Sequence, residues 1–269
     1  MTKNRWRVKP GNPARLARID PASRLGAPDG RKATDAATAV LGSRLAELHD
    51  PFWAERKHAL LLVLQAMDTG GKDGTIKHVL SGINSQGVRV ASFKAPSENE
   101  RDHDFLWRVH SQTPARGEIG VFNRSHYEDV LIVRVHDLVP EKQWRARYDQ
   151  INAFEELLVA SGTTIVKCFL HISKEEQARR LQARLDDPDK GWKFNKDDLL
   201  ERAHWDEYQE AYEEAITRTS TAHAPWHVIP ANHKHYRNFV VSQLLVDALE
   251  SLNPKYPPPD PDLDGVVVT

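Results

Sequence analysis

Five short apolar runs punctuate the chain, at residues 59–64, 88–93, 117–122, 163–170 and 226–229. The first, ALLLVL, shows no alternation, which suits a parallel strand buried on both faces. Between the runs, apolar residues return at helical spacing: Ile76, Val79, Leu80 and Ile83, then Trp144, Tyr148, Ile151 and Leu158. Pro140 and Gly162 bracket the second set as helix start and stop. Ser97 to Glu100 and Ser173 to Glu176 have capping-box spacing and predict helices running to about 111 and about 185. Leu41, Leu45 and Leu48 share one face of a helix predicted over 35–49, ahead of Pro51, and polar and mixed helices are predicted over 197–219 and 234–252. Strands alternating with helices predict an α/β fold, a five-stranded parallel sheet flanked by helices on both faces. The predicted domain spans 35–252. Residues 1–34 form a surface arm, 186–195 a loop, and 253–269 a tail rich in Pro and Asp; Trp6 and Trp53 either anchor such segments or simply pack, and packing is the plainer reading of both.

Composition narrows the function classes. The 269 residues are 40% hydrophobic, and 37 basic against 38 acidic side chains leave a net charge of −1. No overall field draws such a chain to nucleic acid or to a membrane, so a site for a polyanion must be a local patch. The one cysteine, Cys168, sits in an apolar run, which excludes an internal disulfide framework and fits a cytoplasmic setting. No run approaches the roughly 18 apolar residues of a membrane span, and the basic N-terminus lacks the apolar core of a signal peptide. The 13 histidines include close pairs, His233 with His235 and His223 with His227, but none has the spacing and carboxylate of a zinc site.

The chemistry concentrates behind the first run, in QAMDTGGKDGT. Strand, glycine-rich turn, lysine and helix follow in the order of a phosphate-binding loop. Glycines let several amide N–H groups converge on an anion, the helix N-terminus adds partial positive charge, and Lys72 adds a full one. Thr69, Gly70, Gly71, Lys72, Asp73, Gly74 and Thr75 are therefore the candidate phosphate-binding residues. The loop departs from G-x-x-x-x-G-K-[ST]: Ala66 replaces the first glycine and Asp73 the hydroxyl residue, for which Thr75 is the shifted candidate. Asp68 puts a carboxylate inside an anion site, which makes sense when a divalent cation lies between it and the phosphates. The bland alternative is a glycine-rich turn that binds nothing.

The third run ends in Asn123-Arg124-Ser125-His126-Tyr127-Glu128-Asp129. A phosphate-loop enzyme usually ends this strand in a carboxylate that serves the metal, and here an amide stands there. Asp68, Glu128 and Asp129 are then the candidate metal ligands, and Arg124 the planar fork for phosphate oxygens. On spacing alone a second reading stands beside this one. Asn123 and Ser125 cap a turn, and Arg124 pairs with Glu128 four residues on.

Together, QAMDTGGKDGT, GEIGVFNRSHYEDVL and ARLDDPDKGWKF followed by ERAHWDEY resemble the polyphosphate kinase 2 family, over about residues 35 to 250. The resemblance implies a P-loop kinase fold with a helical lid, here about 174–200, and transfer of a phosphoryl group from inorganic polyphosphate to AMP or ADP. It implies Mg2+ or Mn2+ as cofactor, adenine or other nucleotides as partners, and a homo-oligomer. Asp68 and Lys72 match the Walker A residues, and Arg124 the arginine of F-[DN]-R-S. Asn123 stands where many members carry Asp, and the NRSHYED wording resembles the subgroup that accepts nucleoside mono- and diphosphates.

A polyphosphate donor needs several cations that close over it. Arg179, Arg180, Arg184, Lys190 and Lys193 lie on one helix-and-loop segment. Glu175 with Arg179 and Glu176 with Arg180 have the spacing of solvated helix pairs, so Arg184, Lys190 and Lys193, which lack such partners, carry more weight. Lys77 and His78 extend the groove or form a solvated face, and Trp192 and Phe194 cover a base or pack the closed lid. The rivals are an ATP-dependent nucleotide or small-molecule kinase and a polyanion-binding module without turnover.

Overall fold

The computed structural model describes residues 5–189 and 197–261. At its centre is β1 (Ala59–Gln65), buried along its whole length. With β2 (Val88–Ser92), β3 (Ile119–Asn123), β4 (Thr163–His171) and β5 (Trp226–Pro230) it forms one sheet of order β2-β3-β1-β4-β5. Every neighbouring pair is parallel. The helices are α1 (Gly30–Glu55), α2 (Lys72–Val79), α3 (Glu98–Arg101), α4 (Trp107–His110), α5 (Ile132–Val135), α6 (Glu141–Ala160), α7 (Lys174–Leu185), α8 (Asp197–Ala203), α9 (Trp205–Thr219) and α10 (Lys234–Leu252). One layer is built from α1, α2 and α10, the other from α5, α6 and α9. The chain leaves β1 towards β2 and leaves β4 towards β5, on opposite sides, so a crevice opens at the carboxyl ends of these central strands.

The helices differ from the predicted ones where side chains override periodicity. Pro51 does not end α1: Phe52, fully buried, holds a further turn against the core, and the helix ends where Arg56 turns left-handed. The single helix expected over 97–111 is two turns. The Ser97 capping box forms, but α3 stops at Arg101, and Asp104 accepts from the Leu106 N–H to start a new turn at Trp107. The long helix expected over 197–219 breaks at His204, where Trp205 turns into the core.

The N-terminal arm lies on the sheet edge. The Val8 N–H donates to Trp226 O and the Val228 N–H to Trp6 O, both at 2.9 Å, a short antiparallel bridge that covers β5. Trp6 anchors it by donating to the Tyr236 hydroxyl at 2.8 Å.

A buried polar knot fixes the segment after β3. Lys167 on β4 is fully buried and donates to the Glu155 carboxylate, to Tyr127 Oη at 2.9 Å and to Thr219 O at 2.7 Å. Tyr127 in turn donates to Glu155 at 2.8 Å, and His126 Nε2 lies 3.2 Å from the same oxygen. Burial pushes the Glu155 pKa up, but Lys167 and His126 outweigh it and hold the carboxyl below its usual range. Two residues of the NRSHYED turn are thus tied to β4 and α6, which fixes the backbone that carries Arg124 and Glu128.

Burial lowers the pKa of His171 and of His227 from 6.5 to about 4. Both are neutral in the fold and protonate more readily when it opens. Between pH 6.5 and about 4 the unfolded chain therefore binds more protons, and stability falls as pH falls, by on the order of 3 kcal/mol for each residue. Thermal melts from pH 7 to 4 are expected to show Tm dropping across this window; Tm that stays level would refute the assignment.

Candidate active site

The phosphate loop joins β1 to α2. Gly71 takes φ +98°, a conformation that side-chain-bearing residues rarely adopt, and the Arg237 guanidinium lies against the space a Cβ would take. Thr69 (φ 61°) and Arg124 (φ 63°) are non-glycine residues held left-handed on facing loops, backbone strain gathered at one place. The register sets Leu64 of β1 beside Asn123 of β3, and the Arg124 N–H donates to Leu64 O at 3.1 Å. Asp68 and Arg124 therefore meet: Nη2 donates to Oδ1 at 3.1 Å. Glu128 lies 3.9 Å from the same guanidinium. Arg124 pairs with Glu128, as the second reading has it, and also faces the loop, on the side where the first reading puts phosphate oxygens. Ser125 caps the following turn by accepting from the Tyr127 N–H, whereas the Asn123 amide donates to Asp73 Oδ1 at 2.7 Å.

Lys72 is half-buried and donates to Ala66 O at 3.0 Å. Burial, then the Arg124 charge, lowers its pKa, while Asp68, Glu128 and Asp73 pull the other way. Burial raises the Glu128 pKa against the pull of Arg124 and Lys72. Arg124 stays above its ordinary value: burial works against its charge, but Glu128 and Asp68 outweigh it.

Two cavities meet at this pair. A cleft of about 810 Å³ lies over the loop, and one of about 220 Å³ lies beneath it beside Glu128, Gln177, Tyr208 and Tyr212. Asp68, Arg124 and Asp198 line both. The larger cleft is bordered by eight cationic side chains and three carboxylates, a strong positive patch in a nearly neutral chain.

Several expected roles change. Thr75 is fully buried and its hydroxyl donates to Gly71 O at 3.0 Å, a bond within its own helix, so it does not face a phosphate. Asp129 accepts from Arg147 at 3.2 Å, lies 3.9 Å from Arg108 and lines neither cavity, which takes it out of the metal set beside Asp68. Arg180 is a clamp and not a lid cation: its guanidinium donates to Glu176, Thr69 O, Gly70 O, Ala231 O and Asn232 O, locking the loop to the end of β5. Arg179 pairs with Glu176 instead of Glu175. Arg184 has a partner after all, Asp198 of α8 at 3.4 Å, reached from the next helix and so invisible to spacing along α7. Lys190, Lys193, Trp192 and Phe194 lie outside the described residues.

Sequence reasoning missed Lys234 and Arg237, on the first turn of α10, which also line the cleft. Arg237 is almost fully buried, and burial, with Arg180 close by, brings its pKa down to about 10. Every helix that follows a strand of a parallel sheet starts at the same edge. That rule, applied to β1 and β3, applies equally to HKHYR after β5.

Among the described residues no three His, Cys, Asp or Glu side chains converge into a metal cage. Asp68 beside Glu128 still fits Mg2+, which is commonly held by one or two carboxylates together with substrate phosphates.

Comparison with known proteins agrees with this geometry. The chain is 53% identical over 264 residues to the AMP/ADP-polyphosphate phosphotransferase of Meiothermus ruber, covering 98% of this chain and 99% of that one. It is 50% identical over 230 residues to the ADP-polyphosphate phosphotransferase of Rhodopseudomonas palustris, covering 81% and 80%. The crystal structure of polyphosphate kinase 2 from Arthrobacter aurescens TC1 superposes with a TM-score of 0.93 at 49% identity, over 96% of this chain and 92% of that one. With residues 30–257 matching the sequence profile described as Polyphosphate kinase 2 (PPK2), and with the loop, the arginine and the parallel sheet in place, the chain belongs to the polyphosphate kinase 2 family.

Proposed function

We propose that this chain is a polyphosphate:AMP/ADP phosphotransferase, which moves the terminal phosphoryl group of inorganic polyphosphate onto AMP or ADP. The observation that carries this reading is the cleft itself, open and strongly cationic, meeting a second cavity at Asp68 and Arg124. The donor lies along the cleft, and the acceptor's terminal phosphate enters where the cavities meet. An acceptor oxygen, already ionised, attacks the terminal phosphorus in line. The bond to the bridging oxygen breaks, and the donor leaves one phosphate shorter. No strong base is needed; the work is positioning and charge stabilisation. Lys72 and the loop amides of 70–74 hold the transferring group, while Arg124 stabilises its charge. Asn123 orients Asp73 and leaves Asp68 and Glu128 as the carboxylates that would hold Mg2+ or Mn2+. A bound ion would screen the negative charge of the phosphate oxygens.

An ATP-dependent kinase ordinarily sets a loop hydroxyl on its magnesium ion. Here Asp73 replaces that hydroxyl and Thr75 is committed to its helix. The chain is further proposed to work as a homo-oligomer, as the family resemblance implies, and in the cytoplasm, where the free Cys168 would stay reduced; no described helix is long and apolar enough to cross a membrane. The test offers purified protein AMP or ADP with Mg2+ and either polyphosphate or ATP. ADP and ATP formed from polyphosphate support the reading. Transfer from ATP alone, or binding without turnover, contradicts it.

A further inference from the structure

One helix holds three successive carbonyls of the glycine loop. Gln177 and Arg180 lie three residues apart on α7 and so share a face. Gln177 Nε2 donates to Asp68 O at 3.1 Å, and Arg180 Nη1 donates to Thr69 O at 3.0 Å and to Gly70 O at 3.2 Å. Each of these oxygens is thereby matched with a donor beside a site for phosphate, which a free carbonyl would repel.

Gln177 is buried, and both ends of its amide are used. Its oxygen accepts from Arg202 Nη1 of α8 at 2.8 Å, and the same nitrogen donates to Lys174 O at 2.7 Å. A glutamine amide can turn either end to a neighbour, and its partners decide which. Arginine only donates and a carbonyl only accepts, so Arg202 draws the amide oxygen to α8 and leaves the NH2 for Asp68. α8 is itself tied to α9 and to the residue after α5: Glu201 accepts from the Tyr208 hydroxyl at 2.6 Å and lies 3.0 Å from His136 Nε2. Glu201 and Asp198 of α8 line the smaller cavity together with Gln177.

We propose that Gln177 is a positioning residue for phosphoryl transfer: it sets the backbone of Asp68, and Arg202 sets Gln177, so one chain of bonds aligns the glycine loop with the wall of the smaller cavity. The proposal rests on the loop being the site of transfer. Asp68 is then fixed at both ends, its carboxylate by Arg124 at 3.1 Å and its carbonyl by Gln177. Thr69, the next residue, is held left-handed, a conformation that persists only where its surroundings over-determine it. Without the Gln177 donor the loop relaxes and the reacting groups shift, and a misplacement of about 1 Å costs up to roughly a hundredfold in rate.

The plainer alternative, that Gln177 only ties α7 to α8, separates from this one in Gln177→Glu. That variant keeps an acceptor for Arg202 but has no donor for Asp68 O. Gln177→Met, close in size and uncharged, controls for the added charge, and Arg202→Ala frees the amide from a half-buried position. Steady-state kinetics, thermal melts and hydrogen exchange of the amides of 68–71 are measured for each. Expected for both Gln177 variants is a kcat lower by on the order of tenfold with KM for nucleotide and polyphosphate little changed, and faster exchange in 68–71. Arg202→Ala shifts both readouts the same way by a smaller factor. Wild-type kcat in a folded Gln177→Glu, or unchanged loop exchange in all three variants, overturns the proposal. If either Gln177 variant does not fold, Arg202→Ala decides alone by the same two readouts. If the wild-type protein turns over no polyphosphate, the catalytic reading fails, and the exchange comparison still decides whether Gln177 sets the loop.

Discussion

Lys72→Ala is expected to leave a folded protein that transfers phosphoryl groups on the order of a thousandfold more slowly. A cation aimed at a transferring phosphoryl group is worth roughly 10³ to 10⁵ in rate where it has been removed elsewhere, and a single preorganised donor roughly 10² to 10³. Lys72 has that position: half-buried, tethered by one bond to Ala66 O, and surrounded by Asp68, Glu128 and Asp73. Its loss strips charge from the place where the phosphoryl group moves, while Arg179, Arg184, Lys234 and Arg237 still border the cleft. The fall should therefore appear in kcat, with KM for polyphosphate changed much less. Stopped-time assays with a thermal melt of the same sample check both halves. Near wild-type kcat in a variant with unchanged Tm would remove Lys72 from the chemistry.

Arg124→Ala is expected to lower kcat by a similar factor, on the order of a thousand, and Arg124→Lys to recover little of it. The guanidinium spans Asp68 at 3.1 Å and Glu128 at 3.9 Å, and a lysine, as a point charge, cannot bridge both carboxylates and still offer a donor to phosphate. The alanine variant leaves two carboxylates facing each other without the intervening cation. Burial already holds Glu128 above its usual pKa, and Arg124 is the first force opposing that rise. Without Arg124 the Glu128 pKa climbs further, so the acid limb of the rate profile moves to higher pH. A pH profile that merely scales down, without moving, would show that Arg124 does not control Glu128.

The parts of this molecule that were legible from residues alone are those in which one local rule decides. The strands read as short, mostly apolar runs, and all five lie within two residues of the predicted bounds, although β2 is largely exposed and β4 carries the buried Lys167. The loop was legible because glycine, lysine and the following helix are contiguous. What sequence could not resolve depends on direction. Glu128 and Asp129 sit on a short 3₁₀ turn, His126–Val130, where neighbouring side chains point about 120° apart. Only one of them can face Asp68, and spacing does not say which. Arg180 and Arg184 are a second case. Along α7 they look alike, yet one is consumed by carbonyls of the loop and of the segment after β5, and the other meets α8. Arg237 was hidden for a related reason: an arginine in a predicted core helix reads as solvated until the sheet order turns that helix start towards the loop.

The central claim is that the cleft over the glycine loop is the seat of a polyphosphate donor. A crystal structure of the protein grown with polyphosphate and Mg2+ tests it most directly. The account predicts density for a phosphate chain whose end lies within hydrogen-bond reach of Lys72 Nζ and the amides of 70–74, with Arg124 beside it. An empty loop, with the phosphate chain bound elsewhere on the molecule, would contradict it.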